Sequence, residues 1–226
     1  MHASALLHLL QLSSPSLPIG AYSYSQGLEA AIENGRVNSE AAARDWIGHA
    51  LHEVVARFEA PIFARLVAAF ESRDVEAVTR WTERFVAARD TSEFRAETIQ
   101  MGYSLGKLVA DLKLGDAELL ALLQAQPEVP LPTALAFATV ALQVPREAAV
   151  LGMLFAWAEN QVLACVKTVP LGQVAGQRIL LSLQPELEQA AATALTLEDD
   201  DLCNWAPGLS LLSMQHEVQY SRIYRS

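Results

Sequence analysis

Apolar positions recur at steps of three and four along most of the chain. After Asn38, read as an N-cap, Ala43, Trp46, Ile47, Ala50, Leu51, Val54 and Phe58 form one broad stripe, the pattern of an amphipathic helix. Pro61 stands where a new helix is expected to begin, carrying Ile62, Leu66 and Phe70. Asp74 is placed to cap the next, whose Val78, Trp81 and Phe85 share a face. Asp90 with Glu93 three positions on reads as a capping pair for a long helix reaching Gly115, its seam made by Phe94, Met101, Leu105, Leu108 and Leu112. Gly102 and Gly106 sit one turn apart in it and cost about 1 kcal/mol each relative to alanine. That cost predicts the close approach of a neighbouring helix.

Further helices are expected over 116–126, 132–143, 145–168, 172–184 and 185–197, with proline at many starts. Alternating strand-like runs are absent, as are Asn-Gly and Asp-Gly hairpin turns. The expectation is an all-α, single-domain orthogonal or irregular bundle of about ten helices over 1–226. No repeat of fixed period and no linker rich in Gly, Ser or Pro divides it. Two segments break the rhythm. Residues 13–27, SSPSLPIGAYSYSQG, hold two prolines, two glycines and two tyrosines, and are read as a recognition loop. Residues 198–226 start acidic and end QYSRIYRS; they are read as an irregular tail.

Charge narrows the function classes. The chain is 52% hydrophobic, with mean hydropathy +0.20, net charge −10 and a sequence pI near 4.9. So acidic a surface repels phosphate, and nucleic acid is not expected as a partner. The high apolar content raises the question of a membrane. The uncharged run 129–145 is broken by Pro130 and Pro132, and 148–158 is bounded by Glu147 and Glu159, so no membrane helix is expected. The apolar run at 1–12 has no Lys or Arg before it, which argues against a secretory signal. Cys165 and Cys203 lack metal spacing and suit a reducing compartment. A cytoplasmic protein is expected, its apolar excess partly buried against partners.

Catalytic motifs are few. Gly102-Tyr103-Ser104-Leu105-Gly106 matches G-x-S-x-G, with Asp111 and His216 as nominal triad members. A serine hydrolase on Ser104 is the alternative reading from another class, but a nucleophile elbow needs a strand before the serine, and here the motif lies inside a helix. His49 and His52 share a helical face without a third ligand. His216 and Cys203 are soft donors thirteen positions apart, too sparse for a metal cage. No phosphate loop is present.

Three segments are more specific. They are Ser14 to Glu29 (SPSLPIGAYSYSQGLE), Trp157 to Leu163 continuing with Val166 to Gln173, and Pro207-Gly208-Leu209 with Met214 to Ser226. In this order they resemble the signatures of the urease accessory family UreF, and Arg89, Arg95-x-Glu97 and Met101-Gly102 fit the same family. Val218 and Ile223-Tyr224 stand where Thr and Leu-Phe are expected. The resemblance implies a non-enzymatic helical homodimer, without a cofactor of its own. It would bridge UreD (also called UreH) and the nickel-carrying GTPase UreG, as nickel passes through the complex to apo-urease. A further alternative is a helical scaffold for another assembly. The residues expected to contact partners are Tyr22, Tyr24, Glu29, Lys167, His216, Tyr220, Arg222, Tyr224 and Arg225. Tyr and Arg bury large contacts at modest entropic cost; Glu29 and Lys167 are assigned to the GTPase-facing or a regulatory surface.

Overall fold

The computed structural model describes residues 1–169 and 171–226; Pro170, within the second family-like segment, lies outside them. Among the described residues the regular structure is all helical and no strand occurs. Its eleven α-helices there are Ala3–Leu12 (α1), Leu28–Glu33 (α2), Glu40–Ala50 (α3), Ala60–Ser72 (α4), Val75–Ala87 (α5), Ser92–Asp111 (α6), Ala117–Gln124 (α7), Leu131–Ala141 (α8), Arg146–Thr168 (α9), Gln173–Thr196 (α10) and Pro207–Glu217 (α11).

Local chemistry explains the boundaries, with some differences from expectation. Ser39, one residue beyond Asn38, caps α3 by accepting from the Ala42 amide. Thr91, not Asp90, caps α6 by accepting from the Phe94 amide, while Asp90 accepts from Ser210. Asp74 caps α5 as expected. Pro61 does not start a separate helix, because Leu51–Glu59 joins α3 to α4 as a π-helix. Pro185 likewise fails to divide α10. It lies on the exposed face, so the carbonyl it leaves unbonded can meet solvent, while Leu183, Leu187 and Ala190 keep the other face buried. Leu112 is exposed, because α6 ends at Asp111.

The core is built around α9 and α10, with α4, α8 and the π-helix packed on them. α9 is long and apolar enough to cross a membrane by length and composition alone. Its Val150, Leu154, Ala158, Val162 and Cys165 are buried among the other helices, which accounts for that apolarity. Cys165 is enclosed enough for burial to push its thiol pKa up to about 12, so it acts as an apolar filler. Gly152 lets α1 cross α9, since a Cβ there would lie 2.5 Å from Leu9 Cδ1 and 2.7 Å from Ser13 Oγ. Gly102 admits a neighbour, but that neighbour is the backbone at Val129–Leu131 leading into α8, with a Cβ falling 1.9 Å from the Val129 carbonyl oxygen. Gly106 faces open space.

Candidate functional site

The three distinctive segments meet in space. The loop before α2 turns at Gly20 and Gly27, both at φ +79°, where a side chain is strained. Gly27 also lies against α11, its missing Cβ 3.4 Å from Leu209 Cδ1 and the Ser213 amide. α9 holds the loop through two polar side chains. Trp157 Nε1 donates to Gln26 Oε1 at 2.8 Å, and Asn160 Nδ2 donates to the Tyr24 carbonyl at 3.0 Å.

The tail then lies along this loop. The Ser25 amide and hydroxyl both donate to the Ser226 carbonyl oxygen at 2.6 Å, and the Arg225 amide donates to the Ser23 carbonyl at 2.8 Å. Glu29, buried on α2, accepts from the Ile223 amide at 2.7 Å and the Tyr224 amide at 2.9 Å. It also faces His216 Nε2 at 3.0 Å, while His216 Nδ1 lies 2.9 Å from Glu93 on α6. Arg222 Nη1 reaches the same Glu93 at 3.2 Å.

The row Glu29–His216–Glu93 has a proton requirement. Ionised carboxylates only accept, and a neutral imidazole donates from one nitrogen only. Satisfying both contacts takes an imidazolium or one protonated glutamate. Burial raises the Glu93 carboxyl pKa. Beyond it, Glu97 accepts from Ser226 Oγ and, at 2.6 Å, from Gln26 Nε2. Burial lifts Glu97 to about 7. The arrangement is a polar clasp holding the end of the chain to the loop.

The expected contact residues divide into two groups. Tyr24, Glu29, His216 and Tyr224 are buried, where they build the clasp. Burial raises the Tyr24 phenol and lifts Tyr224 to about 12. Tyr22, Lys167, Tyr220, Arg222 and Arg225 are exposed around it. Lys167 Nζ lies 6.0 Å from the Tyr22 ring centre and 5.7 Å from that of Tyr224, so one cation touches loop and tail together. The stretch read as an irregular tail contains α11, which packs on α2 and α6 and supplies His216.

Sequence reasoning missed Glu93, Ser25, Gln26 and Ser226 as members of the clasp, and it quoted Glu97 without a role. A signal was available. Glu93 and Glu97 repeat at the same step of four as Met101 on the buried face of α6, and a carboxylate on an apolar stripe needs a partner.

The catalytic alternatives lose their geometry. Ser104 lies within α6 and donates its hydroxyl to the Gln100 carbonyl at 2.9 Å. Its nominal partners are engaged elsewhere, Asp111 with Lys107 and His216 in the clasp. His52 faces Glu186 at 3.0 Å and His49 the Asp45 carbonyl at 2.6 Å. Among the described residues no group of three or more His, Cys, Asp or Glu could hold a metal ion.

The family model described as UreF matches residues 37–184, the helical body. Over 226 residues, and all of both chains, the protein is 78% identical to the urease accessory protein UreF of Janthinobacterium sp. (strain Marseille). It is 64% identical over 222 residues to the urease accessory protein UreF of Nitrosospira multiformis, covering 98% of each chain. With the urease accessory protein UreF of Azoarcus sp. the identity is 49% over 223 residues, 98% of this chain and 95% of the relative.

Proposed function

Because this chain belongs to the UreF family of urease accessory proteins, a family of maturation factors rather than catalysts, we propose that it is a cytoplasmic, homodimeric scaffold that bridges UreD (UreH) and the GTPase UreG and supports nickel delivery to apo-urease. The observation that carries this reading is the clasp. Loop, α9 and tail are drawn together by buried polar contacts, which leaves Tyr22, Lys167, Tyr220, Arg222 and Arg225 exposed around one ordered region. Exposed Tyr and Arg carried on an ordered backbone suit partner recognition, because the segment that bears them need not be ordered on binding.

The roles are divided by position. Tyr220, on the outward side of the tail, and Arg225 are assigned to UreD. Lys167, between two aromatic rings, is assigned to the face that meets UreG. Nickel is cargo here, passing through the assembled complex.

Tyr220 gives a clean test, being fully exposed and so free of a packing role. Tyr220→Ala is expected to leave helicity and unfolding midpoint unchanged while weakening capture of UreD by tenfold or more, a hot-spot loss of about 1.4 kcal/mol. Capture equal to the wild type in a pull-down with purified UreD would remove Tyr220 from the interface.

A further inference from the structure

The loop at 13–27 roofs a pocket of about 130 Å³, roughly ten times the 10–15 Å³ that a single water takes on the same measure. Close-packed interiors leave few spaces of that size. Its wall is mostly carbon and sulfur. Leu9 comes from α1, Ile19 from the loop, Phe63 from α4, Leu135 from α8, and Met153 with Trp157 from α9. Phe63 is fully buried, whereas Leu9, Leu135, Met153 and Trp157 keep part of their surface open. That open area is apolar surface whose covering favours binding.

Polar side chains interrupt this wall at a few points, and most of their capacity is spent. Gln26 is engaged at both ends, by Trp157 and on Glu97, and the Tyr24 side chain meets Arg225. Asn160 gives its Nδ2 to the Tyr24 carbonyl, and Glu59 takes Arg89 on Oε1 at 2.6 Å. Asn160 Oδ1 and Glu59 Oε2 remain without a donor among the described residues. Ser13 and Thr139 add hydroxyls to the wall, groups that give or accept a hydrogen bond alike. Arg89 already matches the charge of Glu59, so the pocket calls for a neutral donor and not for a second cation.

This lining suits an apolar body that carries one hydroxyl. Water satisfies the open oxygens and leaves the carbon wall wet, while a hydrocarbon covers the wall and strips the oxygens of water. Size allows one ring, since an apolar cavity of about 150 Å³ in another protein takes benzene. An aromatic ring also gains from the thioethers of Met101 and Met153 and from the faces of Phe63 and Trp157. We propose that this pocket binds a phenolic ring, whether of a free phenol or of a tyrosine on another polypeptide, its hydroxyl donating to Asn160 Oδ1 or Glu59 Oε2. The bound ring touches α1, the loop and α9 together, and so steadies the loop along which the tail lies. This goes beyond the scaffold reading and holds whichever partner the clasp serves.

The test uses the full chain labelled with ¹³C at its methionine methyl groups. Of the four methionines, Met101 and Met153 stand in the pocket wall, and Met101→Leu and Met153→Leu assign their signals by loss. Phenol is expected to move both signals saturably through its ring current, at about millimolar concentration for so small a ligand, and to leave those of Met1 and Met214 in place. Benzene, which lacks the hydroxyl, should bind more weakly by about threefold or more. In a pocket without an open acceptor that order reverses, because water holds phenol more strongly than benzene. Ala156→Leu puts a side chain into the space and should weaken phenol by about tenfold or more. N-acetyltyrosinamide separates the two sources. Binding close to that of phenol supports the site as one for a tyrosine on a polypeptide, and its exclusion supports a site for free phenol. Met101 and Met153 signals that stay still, benzene binding as tightly as phenol, or phenol binding unaltered in Ala156→Leu would overturn the proposal.

Discussion

Glu97 combines full burial with two donors, Gln26 Nε2 and Ser226 Oγ, and burial outweighs them, lifting its pKa from 4.5 to about 7. The raised value fixes the direction of a pH effect. The folded chain takes up the proton before the unfolded one does, so the stabilisation from this group is fully present below pH 4.5 and is lost as pH rises to about 7. At most it amounts to about 3 kcal/mol. Glu97→Gln keeps one oxygen to accept and adds N–H donors. Urea unfolding at pH 8 is therefore expected to show the variant more stable than wild type by about 1–3 kcal/mol, the difference closing toward pH 4.5. Equal pH slopes for the two proteins would contradict this. The sequence displayed Glu97 on an apolar stripe but not what faced it, since Gln26 and Ser226 lie 71 and 129 positions away.

On the scale of a helix, α6 shows how one motif can carry two meanings. Gly102 and Gly106 look alike in the sequence, one turn apart and equally costly to the helix. The neighbouring backbone at Val129–Leu131 reaches only Gly102. Gly102→Ala is expected to lower stability by about 1–3 kcal/mol, because the obstacle is backbone and not a movable side chain. Gly106→Ala should raise it by about 1 kcal/mol, the helix gaining propensity without a clash. Thermal unfolding of the two variants side by side checks both signs. The same limit explains the other errors in element boundaries. Pro61 and Pro185 are strong local stop signals, yet tertiary packing carries the helix through each, by a π segment in one case and on a solvent-facing side in the other. Helix identity was legible from periodicity, whereas continuity depended on what packs alongside.

Over the whole molecule, the clasp joins residues almost as far apart as the chain allows, such as Ser25 with Ser226. The all-α class was legible in the repeating apolar steps, and the loop and tail stood out as breaks in them. That Tyr24, Glu29, His216 and Tyr224 turn inward was not legible, because aromatic and charged side chains look alike in sequence whether they face a partner or the chain's own interior. Glu29→Ala removes the acceptor shared by Ile223, Tyr224 and His216. Hydrogen exchange at the Ile223 and Tyr224 amides is expected to accelerate by about tenfold or more, with far-UV dichroism unchanged. Protection retained at both amides would show that the tail is held by other means.

The apolar character of α9 also has a consequence for the order in which the chain matures. α10, which packs most extensively on α9, follows it in sequence, so a ribosome delivers the most apolar long helix before its main cover. Until residues 173–196 emerge, the growing polypeptide presents a greasy rod of a kind that chaperones capture. A released polypeptide ending just after Thr168, which has α9 and lacks α10, should therefore aggregate where the full chain does not.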